Sequence, residues 1–154
     1  RLSLPVIQQE EWIDGAEAWI KHGPEGAKPM PEELARNAKD RAVLFFVTKL
    51  PSLGYQCSII GKRNGMIILR AIKDGKESRF YFDEGTFLLR RTDYQQGPED
   101  GGVTLSEFYE DYAPHNGIML PQKERLESPM FSIASTNTYE INVPISDDEF
   151  RPKQ

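Results

Sequence analysis

The chain is poor in the residues that carry chemistry. Among its 154 residues there is one cysteine, Cys57, and two histidines, His22 and His115. A single cysteine excludes an internal disulfide and any zinc site built on several cysteines. The two histidines are far apart in sequence, each beside a Gly or Pro turn, and no set of carboxylates or histidines accompanies either as a general base or metal ligand. No serine sits in a Gly-x-Ser-x-Gly elbow, and Gly101-Gly102 is too short to cradle a phosphate. The acidic groups Glu107…Glu110-Asp111 and Asp147-Asp148-Glu149 lack the alternating spacing of a calcium loop and read as solvated faces. No apolar run approaches the ~20 residues needed to span a bilayer. No signal-peptide pattern is present. Lysine and arginine are scattered under a net charge of -5, which argues against a nucleic-acid partner. Neither a cofactor nor a metal is expected, and the residues point away from an enzyme.

What the chain does have is turns. Apolar residues at 38% and charged ones at 28% describe a globular chain, read as a single domain over residues 1–154. Asn64-Gly65 and Asp74-Gly75 are strong two-residue hairpin signals, because both turn positions need positive φ. They separate the strand patterns 54–60, 66–72 and 77–82. Glu84-Gly85 fits a longer hairpin with a bulge, leading to a strand over 86–91. The segment 95–102, with Gly97-Pro98-Glu99-Asp100-Gly101-Gly102, reads as a mobile surface loop. Strands are then expected over 103–112, 118–126 and 130–141, with turns at Pro114-His115-Asn116-Gly117 and Ser128-Pro129. That makes seven strands joined mostly to their neighbours. Phe80 and Phe82 share one face and Tyr81 the other. In 103–112, Leu105, Glu107 and Tyr109 oppose Ser106, Phe108 and Glu110, a mixed strand suited to an edge. Cys57, inside a strand pattern, reads as a buried thiol.

Upstream, Trp12 to Ile20 surrounds an Asp-Gly pair and fits a tight hairpin, with a short helix as the competitor. Residues 23–30 read as a linker. Pro31, then Glu32 and Glu33, open a helix running to about residue 50. Leu34, Ala35, Ala38, Ala42, Phe45 and Phe46 form its apolar stripe, and Pro51 stops it. Phe150, in the tail, is placed to plug a sheet edge. The fold class is α+β, mostly β: a curved antiparallel meander sheet, or half-barrel, with one main helix over about 31–50 on its concave side. The aromatics are the better functional lead. Trp19, Phe45, Phe46, Phe80, Phe82 and Phe108 are the candidate lining of an apolar cavity, against the competing reading of ordinary core.

Several segments resemble, in order, the periplasmic carriers that sort outer-membrane lipoproteins. Phe80-Tyr81-Phe82-Asp83-Glu84-Gly85-Thr86-Phe87-Leu88-Leu89-Arg90-Arg91 is similar to their "Tyr–hydrophobic–Asp, turn, Leu–hydrophobic–Arg" hairpin. Phe108 to Pro121 resembles the hairpin that follows, Tyr139 to Phe150 the closing segment, and Ile13 to Trp19 the "Asp-Gly…Trp" stretch before the helix. The resemblance implies an unclosed, curved sheet whose concavity receives acyl chains, in the periplasm or another exported setting. The leading helix and first strands of that group are missing or only partly represented by residues 1–10. On this reading the chain is a non-enzymatic module sheltering a lipid or lipidated protein segment. The alternatives are a structural or protein-interaction domain of a larger exported protein, with a packed interior, and an enzyme built on His115 with Asp111 or Glu110.

Overall fold

The structure, a computed structural model, describes residues 9–42, 45–96 and 102–152. The chain divides into two compact units, Arg1–Lys49 with Val143–Gln154, and Leu50–Asn142. Residues 97–101 of the expected mobile loop lie outside the described residues.

In the first unit, β1 (Gln9–Asp14) and β2 (Glu17–His22) form the hairpin expected around Asp14-Gly15, with Trp12 opposite Trp19 and Asp14 opposite Glu17. Gly15 supplies the left-handed turn residue at φ 54°. A two-residue strand, β3 (Lys28–Pro29), joins β2 inside the stretch read as a linker. The helix α1 (Glu32–Ala42) follows Pro31. Its buried Ala35 and Ala38 meet Ala18 and Met30, flanked by Ile13 and Ile20. These small side chains let helix and hairpin approach closely, and the Met30 N–H donates to the Ala18 carbonyl at 2.8 Å. The helix is shorter than its periodicity predicts. Phe45 takes φ 56°, and the chain resumes as a single turn, α2 (Phe46–Lys49), before the 3₁₀ turn Leu50–Leu53. Leu34, assigned to the apolar stripe, is exposed. The tail forms a 3₁₀ turn, Asp147–Phe150, capped by Ser146. Arg151 then pairs with Asp14 at 2.5 Å, while Phe150 itself is exposed.

The second unit is a seven-stranded antiparallel meander: β4 (Gln56–Arg63), β5 (Met66–Lys73), β6 (Lys76–Asp83), β7 (Leu89–Gln96), β8 (Val103–His115), β9 (Ile118–Glu127) and β10 (Ser132–Thr136). Among the described residues each strand pairs only with its sequence neighbours, so β4 and β10 are the edge strands and the sheet does not close into a barrel. The turn chemistry behaves as read: Asn64/Gly65, Asp74/Gly75 and Asn116/Gly117 all have positive φ. Register shifts between Ile59 and Gly61 and between Tyr81 and Phe82 mark bulges, which add local bend and twist.

Three sequence boundaries move. Residues 86–88 are loop, not strand. The Asp83 carboxylate collects the Gly85 N–H, the Thr86 N–H and the Thr86 hydroxyl, and Phe87 turns out at φ 57°. The last strand stops at Thr136. One more bond, Asn137 N–H to the Gln122 carbonyl, is made beyond it. The strand 103–112 is longer, reaching His115, and lies inside the sheet between β7 and β9.

Cross-strand pairing sorts the side chains of the sheet into two faces. Ile59, Leu69, Phe80, Thr92, Glu107, Leu126 and Ile133 form one row across all seven strands. On this apolar face Ala71 (0% exposed), Phe80 (2%) and Leu105 (5%) are buried, as is Thr92. Its ends are open: Ile59 is 71% exposed on β4 and Ile133 55% on β10. Cys57 is exposed too, because an edge strand leaves its side chains without a neighbour on one flank. The fully buried Leu50 lies in the 3₁₀ turn that meets β4.

Candidate functional site

The opposite, polar face carries the most developed constellation. Tyr81, Arg91, Phe108 and Arg125 are successive partners on β6, β7, β8 and β9. Ring and guanidinium alternate. Arg91 lies 5.1 Å from the Tyr81 ring centroid and 5.3 Å from that of Phe108, and Arg125 lies 4.1 Å from the Phe108 centroid. Such contacts are worth about 0.5–1 kcal/mol each at exposed sites.

The adjacent row is Ser58, Arg70, Arg79, Asp93, Ser106 and Glu127. Asp93 is its hub. Its carboxylate accepts from Arg91 Nε (2.6 Å) and Nη2 (2.9 Å), the Tyr81 hydroxyl (2.9 Å) and the Ser106 hydroxyl (2.8 Å). Burial, reinforced by the neighbouring Asp93 charge, raises the Tyr81 hydroxyl above the ordinary tyrosine value. Arg125 is held by Glu127 and, at 3.4 Å, by Glu110. Arg79 Nε donates to Glu77 at 2.7 Å. Beside Arg79 runs a shallow groove of about 380 Å³, lined by Glu77, Arg79, Asp93, Tyr94, Gln95 and Thr104.

The apolar face has its own polar corner, on β8 and β9. The Tyr109 hydroxyl donates to Glu107 at 2.9 Å. Burial pushes the Tyr109 hydroxyl far above the tyrosine range. Burial, then the nearby Glu107 charge, raises the Glu124 carboxyl above its usual value. The Tyr112 hydroxyl is pushed up to about 12 by burial and donates to the Leu89 carbonyl at 2.6 Å.

Of the six aromatic candidates, Trp19, Phe45 and Phe46 belong to the first unit and Phe80, Phe82 and Phe108 to the second. Trp19 sits on the side of β2 away from Ala18 and Ile20, opposite Trp12 and Pro29. Phe45 is exposed at the helix break, and Phe46 is half-buried in α2. Phe80 and Phe82 share the apolar face of β6. Phe108 points to the polar face between two arginines. His115 ends β8 half-buried, with Gln122 at 3.0 Å and the Tyr139 ring edge-on at 5.3 Å. Asp111 is taken by Lys123 at 2.6 Å and Glu110 by Arg125. Among the described residues no group of three or more His, Cys, Asp or Glu side chains is arranged to hold a metal ion, and no helix is long and apolar enough to cross a membrane.

Sequence reasoning missed the arginine–aromatic row. Its signal was the period-2 pattern Arg79, Tyr81 and Asp83 against Phe80 and Phe82, but only the register across the Tyr81/Phe82 bulge brings Arg91 opposite Tyr81. No protein-family model matches the chain, and neither a curated protein nor a solved structure matches it.

Proposed function

We propose that the chain is a non-enzymatic binding module of the carrier kind, exported to the periplasm or an equivalent compartment, whose apolar sheet face shelters an acyl chain or lipidated protein segment. One observation carries this reading. On this face of an unclosed sheet, Ile59, Leu69 and Phe80 on one side and Leu126 and Ile133 on the other are apolar, with Thr92 and Glu107 between them, and the end residues Ile59 and Ile133 are exposed. Each acyl methylene withdrawn from water there contributes ~0.8 kcal/mol. The ordered resemblance of residues 80–91 and 108–121 to lipoprotein-sorting carriers supports the same reading.

A second reading, a protein-interaction domain with a filled interior, is favoured by the burial of Ala71, Phe80 and Leu105 in the middle of that face. Native mass spectrometry after incubation with a lysophospholipid separates the two. The carrier reading expects a retained amphiphile, weakened in Ile59→Asp and Ile133→Asp. A folded protein that retains none transfers the case to the interaction domain.

A further inference from the structure

Arg70 and Arg79 stand directly opposite one another on β5 and β6, on the polar face. Directly paired like charges, with Cβ atoms about 5 Å apart, are destabilising in a sheet. The two are not equivalent. Arg79 is held by Glu77, and the next arginine along, Arg91, by Asp93. Arg70 has no ion-pair partner among the described residues, and its Nε is buried with no hydrogen-bond partner. Its other cross-strand neighbour is Ser58, a hydroxyl. A buried guanidinium N–H left unmet is uncommon enough to require a cause. Of the three neighbouring arginines, Arg79 and Arg91 each have a paired carboxylate and Arg70 has none among the described residues, so a single anionic group would complete the set. A groove of about 380 Å³ lies on the other side of Arg79, toward β7 and β8, lined by Arg79 and not by Arg70.

We propose that Arg70, with Arg79 and the Ser58 hydroxyl beside it, forms a binding site for a monoanionic oxyanion group, a phosphodiester or a carboxylate, whose remainder extends across Arg79 toward the groove. Guanidinium forks suit both groups, through paired N–H donors. The site lies on the face opposite the apolar row and does not depend on the carrier reading.

The test uses the full chain, labelled for observation of arginine Nε–H resonances. It is titrated with dimethyl phosphate and, separately, with acetate, at constant ionic strength against chloride. The proposal expects a saturable shift of the Arg70 Nε–H with at least one probe. Dimethyl phosphate alone identifies a phosphodiester such as a lipid headgroup, acetate alone a carboxylate. In Arg70→Gln the accompanying shifts of the β5 and β6 backbone amides should fall at least tenfold in apparent affinity, and Arg70→Lys should recover part of that loss. No saturable response of the wild-type Arg70 Nε–H to either probe overturns the proposal, whatever the variants do. Equal backbone responses in the wild type and a folded Arg70→Gln also overturn it.

Discussion

The two faces of the seven-stranded sheet are built from the same strands and answer to different physics. On one, Ala71, Phe80 and Leu105 are removed from water, and what holds them is non-directional burial. On the other, Tyr81, Arg91, Phe108 and Arg125 are partly wet and held by geometry, ring against guanidinium and guanidinium against Asp93. Both depend on register, because a one-residue slip sends every side chain of a strand to the opposite face. The charged rows depend in addition on the distance and angle of each ring and guanidinium. The faces therefore divide the work, with one supplying non-directional burial and the other directional pairing.

Substitutions can break that division in order of size. Phe80→Ala opens a void beneath the most buried aromatic and should lower the unfolding free energy by about 3–5 kcal/mol, read from chemical denaturation. Asp93→Ala strands the Tyr81 and Ser106 hydroxyls and the Arg91 fork. A loss of about 1–3 kcal/mol is expected. A result rivalling Phe80→Ala would erase the distinction between the faces. A double-mutant cycle on Arg91 and Phe108 should return a coupling of about 0.5–1 kcal/mol, and zero coupling would reduce the ladder to coincidence.

The smallest effect is a pH dependence of opposite sign at two carboxyls. Glu124 is raised in the folded state, so the fold binds its proton more tightly than the unfolded chain does. Its contribution favours folding at low pH and is lost as pH rises through the raised value. Glu124→Gln should stabilise the protein at neutral pH and lose that advantage on acidification. Asp83 is depressed by its Thr86 and Gly85 hydrogen bonds, so its contribution is present above the ordinary aspartate value and disappears as pH falls through the depressed one. Asp83→Asn should flatten the acid limb of the stability curve. Thermal melts across pH distinguish the two, and same-sign slopes would contradict both assignments.

Much of the sheet was legible because hairpins of this kind are local. Asn64-Gly65, Asp74-Gly75 and Asn116-Gly117 need nothing beyond their own backbone preferences to reverse the chain, and they do so with positive φ at all six residues. The alternation that puts Phe80 and Phe82 on one face and Tyr81 on the other is equally local. The aromatic candidates were less legible. Composition marks Trp19, Phe46, Phe80 and Phe108 as large and apolar alike, and does not say that Trp19 lies away from its hairpin's core or that Phe108 sits between two arginines. Cys57 reads as buried until β4 is known to be an edge.

The Asn-Gly and Asp-Gly turns, the seven strands of the larger sheet and their meander order followed from the amino acids alone, since each depends on residues within a few positions of one another. The bulge after Tyr81, the end of β10 at Thr136 and the meeting of Arg70 with Arg79 were decided by the tertiary structure. Those depend on which strand lies alongside and at what offset, and a cross-strand neighbour is set by register rather than by proximity along the chain.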